Sequence, residues 1–191
     1  MKKLALILLA LPLIATPVMA GPFGLSIGQP ISELHVLKRG ADNSYQVSVP
    51  APDSDFDSYS VFTTGKGAIC DVVAVGKNQG NRLQAAYASV KNKLTQEYGR
   101  PTDDLDFCKD GASGSSYCFL GSNEVPLNIP LELRMNMLVL RATWSSHGLP
   151  SQIEKISLRP YASSMHDAHL VVSFESKNEG ESGKVKQFPK R

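Results

Sequence analysis

The chain is poor in the residues on which several function classes depend. Its 191 residues hold three cysteines, one tryptophan and 7% aromatic side chains. Three thiols cannot build a cystine-framework mini-domain, and the absence of Cys-x-x-Cys excludes a dithiol redox motif. A single tryptophan, Trp144, leaves a carbohydrate cleft without its usual set of rings, so Trp144 reads as a core anchor on its strand. Gly-x-Ser-x-Gly does not occur, and Gly111-Ala112-Ser113-Gly114-Ser115 misses that spacing. The loop Gly76-Lys77-Asn78-Gln79-Gly80-Asn81-Arg82 falls between a strand and a helix, where a phosphate cradle would sit. It lacks the Gly-Lys-Ser/Thr ending and reads as a connecting loop with a helix cap. Acid pairs such as Asp103 with Asp104, or Glu132 with Glu154, carry no spacing that specifies the two-carboxylate chemistry of glycoside hydrolysis.

Long apolar runs are also scarce. The one run, Leu4 to Ile14, follows Lys2 and Lys3 and precedes Val18-Met19-Ala20, which together predict a secretory signal over residues 1–20 cleaved after Ala20. The run is short for a membrane span, which needs about 20 apolar residues, so no membrane insertion is expected. The first mature residue would be Gly21 rather than the Cys of a lipoprotein. Loss of Lys2 and Lys3 leaves 18 basic residues against 18 acidic ones. A neutral exported chain lacks the basic surface from which nucleic-acid binding draws its affinity. The predicted address is the periplasm.

The remaining chain suits one domain over residues 21–175, followed by a polar tail over 176–191. The tail holds five bases and two acids. It reads as a solvated end, or as a weak contact with anionic envelope polymers. In an oxidising compartment two of Cys70, Cys108 and Cys118 are expected to pair. Cys108 and Cys118 flank a Gly/Ser-rich segment able to bring its own ends together, which favours a structural Cys108–Cys118 bridge among the three pairings. Cys70 lies in the β-branched stretch 68–75 and reads as a small core residue of a central strand.

The periodicity predicts a short helix after Pro30, with Ile31, Leu34 and Leu37 on one face and Gly40 as its stop. Strands follow at 45–49, 58–63 and 68–76. Leu83, Tyr87, Val90 and Leu94 then mark the longest helix, over 81–98, ended by Gly99 and Pro101. An acidic turn (Asp103, Asp104, Asp106) leads into the Cys108–Cys118 loop. Residues 121–137 are ambiguous between helix and loop because Pro126 and Pro130 interrupt them. Three more strands are expected at 138–144, 153–159 and 170–175. The resulting fold class is α+β: antiparallel sheet with one long and one or two short helices, arranged as two diverged halves of helical lead plus meander.

Phe23-Gly24-Leu25-Ser26-Ile27-Gly28-Gln29-Pro30-Ile31-Ser32-Glu33-Leu34 resembles the opening of small exported bacterial domains of the SmpA/OmlA outer-membrane-assembly type, and of β-lactamase-inhibitor-protein-like folds. Tyr98-Gly99-Arg100-Pro101 is similar to the helix exit in those groups. The chain departs from them in lacking the lipid-attachment Cys, in length and in its own cystine loop. The resemblance implies a non-enzymatic protein-binding module of the cell envelope, without cofactor.

Two site hypotheses follow from the residues. In the first, Tyr117 and Phe119 beside the stapled loop present rigid rings to an envelope protein partner, as an inhibitor, an immunity-type protein or an assembly accessory. In the second, Asp53, Asp55, Asp57, His166 and His169 converge to hold a metal or small ligand, or to hydrolyse one. Asp53-Ser54-Asp55-Phe56-Asp57 opens like a calcium loop, but Ser58 and Thr64 stand where an EF-hand needs Gly and Glu. In a strand the same alternation places three acids on a solvated face. His166 and His169 face one metal only if they share a helical turn.

Overall fold

A computed structural model describes residues 21–108, 128–136, 138–145 and 148–177. Eight strands, β1 (Val36–Arg39), β2 (Ser44–Val47), β3 (Phe56–Thr63), β4 (Ile69–Gly76), β5 (Asp103–Cys108), β6 (Leu138–Ser145), β7 (Ile153–Ala162) and β8 (Ala168–Ser176), form one sheet. Its order is β1-β2-β3-β4-β8-β7-β6-β5, and every neighbouring pair is antiparallel. The sheet is thus two four-stranded meanders joined edge to edge along β4 and β8. Helix α1 (Leu83–Tyr98) links the halves, and a short α2 (Ile129–Arg134) precedes β6.

The fold is mainly β, which corrects the balanced α+β expectation. Two segments account for the difference. Residues 36–39, expected at the end of a helix, are strand β1. They belong to a hairpin whose turn holds Asp42 and Asn43 at φ 52° and 56°, with the Ser44 amide donating to the Ala41 carbonyl at 3.0 Å. Two consecutive left-handed residues define the hairpin turn whose twist matches that of the strands, and Asn and Asp tolerate it better than other side chains. The spacing of Ile31, Leu34 and Leu37 reflects only a single 3-10 turn over Ile31–Glu33. The acidic stretch expected as a turn is β5. Its carboxylates find cations on neighbouring elements, Asp103 with Arg141 at 2.8 Å and Asp104 with Lys91 at 3.1 Å, so an edge strand carries them without loss. Each half therefore contributes four strands rather than three.

One face of the sheet carries the core. Val61, Val72, Ala74, Leu140, Ala142, Trp144, Ile156, Leu158, Leu170, Val172 and Phe174 alternate onto it and are at most 4% exposed. Against them lie Leu83, Tyr87, Val90 and Leu94 of α1, Ile129 of α2, and Leu25 of the N-terminal arm. α1 forms where the periodicity places it, and Gly99, at φ 83°, ends it with its amide donating to the Thr95 carbonyl. α2 begins despite Pro130 because Pro sits in its first turn, where no N–H is needed, and the Asn128 side chain caps it. No helix among the described residues is long and apolar enough to cross a membrane.

Candidate functional site

Among the described residues a cleft of about 710 Å³ opens between the N-terminal arm, residues 51–54 and α1. Its floor is aromatic. Phe23 meets Phe56, Tyr59 and Phe174 edge-on with ring centres 5.6, 4.9 and 5.8 Å apart, and Tyr98 meets Phe174 at 6.1 Å. Phe23 takes a left-handed backbone (φ 57°, ψ 26°), which carries its ring under the arm and onto the sheet. Its carbonyl accepts from the Ala51 amide at 3.0 Å, tying the arm to the opposite wall.

Asp53 is the hub of the rim. Its amide donates to the Tyr59 hydroxyl at 2.9 Å, that hydroxyl donates back to its carbonyl at 3.1 Å, and its carboxylate accepts from the Asp55 amide at 2.8 Å. Lys93 of α1 bridges the Asp53 and Asp55 carboxylates at 3.3 and 2.5 Å. The hydrogen bond to Asp55, more than that to Asp53, holds the ammonium above its usual range. Burial pushes the Tyr98 phenol well above its ordinary value, and Glu97 beside it adds to the shift. Burial likewise raises Tyr59, which stays a neutral hydrogen-bonding post.

The acid and histidine positions expected to converge are dispersed. Asp53 and Asp55 form a turn ahead of β3 rather than part of a strand, and Lys93 bridges them. Asp57 is exposed on β3, while Phe56 turns into the core. His166 is exposed in the β7–β8 turn. His169 lies on β8 with Nδ1 2.9 Å from the Gly76 carbonyl oxygen. No group of three or more His, Cys, Asp or Glu among the described residues is arranged to hold a metal. The loop after β4 spends its polar groups on that same turn: Asn78 donates to Asp167 at 2.6 Å and accepts from the Gly80 and Ala168 amides.

Tyr117, Cys118 and Phe119 lie outside the described residues, as does the side chain of Cys108, whose backbone pairs with Leu138. Cys70 is a buried free thiol on β4 that donates to the Phe62 carbonyl at 3.3 Å. Four inter-strand steps separate β4 from β5, about 19 Å at the usual spacing, which puts Cys70 beyond disulfide reach of Cys108. Burial first, and Asp71 second, push its pKa up to about 11, so it is not an activated nucleophile.

The second face of the sheet was not legible from strand periodicity alone. One cross-strand row contributes a residue from every strand: Lys38, Gln46, Ser60, Val73, Ser173, Ser157, Thr143 and Asp103. Flanking it are Asp71, Glu175 and Lys155, the last two joined at 2.9 Å. The core elements described above all pack on the opposite face. Sequence reasoning also passed over Phe23, Lys93 and Glu97. Phe23 lies on the arm and the other two on α1, and only the folded arm brings them to one cleft.

Comparison with protein-family models, with curated proteins and with solved structures gave no match.

Proposed function

We propose that this chain is an exported, periplasmic, non-enzymatic module that binds another envelope protein through the second face of its sheet. The observation that carries the reading is the row from Lys38 to Asp103, which holds a polar side chain on every strand but β4, where the buried Val73 stands, and short hydroxyls on β3, β8, β7 and β6. At the usual strand spacing the row is about 34 Å wide. With the two rows beside it, the patch reaches the order of the ~800 Å² per partner that a standard protein interface covers. Small hydroxyls let a partner's backbone and aromatic anchors approach closely, and the flanking charges supply orientation. The likeness of residues 23–34 and 98–101 to SmpA/OmlA-type and inhibitor-like domains points the same way. Tyr117 and Phe119 join the proposal as anchors at its side.

The test is purification of the mature protein from its native envelope after cross-linking, side by side with Ser157→Arg and Tyr117→Ala. A protein recovered in stoichiometric amount with the wild type and lost with Ser157→Arg, at unchanged melting temperature, supports the assignment. A partnerless wild-type monomer, or equal recovery with Ser157→Arg, overturns it.

A further inference from the structure

We infer that the α-ammonium group created at Gly21 by cleavage after Ala20 is seated in the aromatic cleft and offsets part of its negative charge, with Asp53 and Glu97 as its counter-ions. The inference rests on the export reading above and adds a structural role for the processed terminus.

Gly21 lines the cleft together with Asp53, Lys93 and Glu97. It is fixed there rather than loose. Its carbonyl accepts from the Gly24 amide at 3.0 Å, Pro22 next to it is buried, and Leu25 is fully buried in the core. A Cβ at position 21 would stand 2.2 Å from the Leu25 carbonyl oxygen, so this position admits only glycine without moving backbone. The first residue after the expected cut is therefore built into the fold, and its nitrogen stays where the arm holds it.

The rim carries three carboxylates, Asp53, Asp55 and Glu97, against one ammonium, Lys93. Lys93 is shared between Asp53 and Asp55, with the closer contact to Asp55, and Glu97 has no cationic partner among the described residues. While residue 20 is still attached, the Gly21 nitrogen is a neutral amide and the imbalance persists. Cleavage converts it to an ammonium in a cleft that Asp53 and Glu97 also line, where the charges act on one another with little screening. Opposite charges favour the protonated form, so the amine should titrate above its ordinary value.

The experiment uses the full mature chain, secreted by a host that processes it. Intact mass first establishes the N-terminus, and a start other than Gly21 would refute the cleavage reading separately from the seat. The α-amine pKa is then taken from the pH dependence of its acylation rate, followed on the N-terminal peptide. The expected value lies at least about half a unit above the ordinary 7.7–8.0. Glu97→Gln, which leaves the Asp53 turn intact, should lower it. Asp53→Asn combined with Glu97→Gln should return it to the ordinary range, and Lys93→Met, which frees Asp53, should raise it further. An ordinary pKa in the wild-type chain, or a raised one that ignores both Glu97→Gln and the double substitution, overturns the inference.

Discussion

Trp144→Phe tests how α1 is fastened to the sheet. Trp144 is 2% exposed on β6, and its indole Nε1 donates to the Gly99 carbonyl at 2.8 Å, at the point where α1 ends. Phenylalanine keeps the strand and the apolar contact but loses that donor and part of the ring. The lost hydrogen bond costs about 1 kcal/mol, since the exposed Gly99 carbonyl regains water. The unfilled volume adds about 1–2 kcal/mol, because the surrounding core relaxes only partly. The expected loss is about 2–3 kcal/mol, which for a domain of this size is a fall of about 5–10 °C in Tm. Urea denaturation followed by far-UV circular dichroism measures it without the tryptophan as reporter, and the m-value should stay constant. In the parent chain Trp144 fluorescence should report the same transition, being the only indole present. A loss under about 1 kcal/mol would show that neither the bond nor the packing at this corner anchors the helix.

Two further outcomes follow from single residues. Burial pushes the Cys70 thiol up to about 11 from its ordinary 9.0, so it stays protonated in the fold where the unfolded chain has ionised. Its contribution is intact below pH 9 and is lost as pH rises towards 11, at up to about 1.4 kcal/mol per pH unit; Cys70→Ala should flatten that part of the pH–stability curve, and an unchanged slope would refute the assignment. At the β1–β2 turn, Asn43→Ala should cost about 1–2 kcal/mol and Asn43→Gly under about half of that, because alanine resists a left-handed backbone. Equal effects in chemical denaturation would rule out the turn as the cause.

How far the sequence disclosed the fold depended on how local each signal was. Leu83, Tyr87, Val90 and Leu94 repeat at helical spacing over four turns, and these are the residues α1 buries. β4 and β8, buried along most of their length, announce themselves as β-branched runs. β1 did not, because four exposed residues have no apolar alternation to show, and its identity rests on the backbone of Asp42 and Asn43. β5 was hidden by its aspartates, whose cationic partners Lys91 and Arg141 lie far along the chain. The acids and histidines drew attention as chemistry-bearing types, yet Lys93 bridges Asp53 and Asp55 and the Gly76 carbonyl stands against His169. Phe23 entered only as part of the stretch 23–34 and Glu97 gave no motif at all, since a cleft assembled from an arm, a turn and a helix has no linear spacing.

The strand order has a consequence for how the molecule comes together. Within each half every strand pairs with its neighbour in the chain, and each pair closes through a short connection at little entropic cost except β5 and β6, which residues 109–137 separate. The β4–β8 joint is different. Bringing Ala168 back to Gly76 along an otherwise open chain costs roughly 4 kcal/mol of loop entropy. α1, which follows β4 in the chain, packs on β6, β7 and β8 of the far half and so ties the two sides of the joint together. Two locally folding ribbons thus wait on one distant agreement, and the helix between them acts as the clasp that makes it.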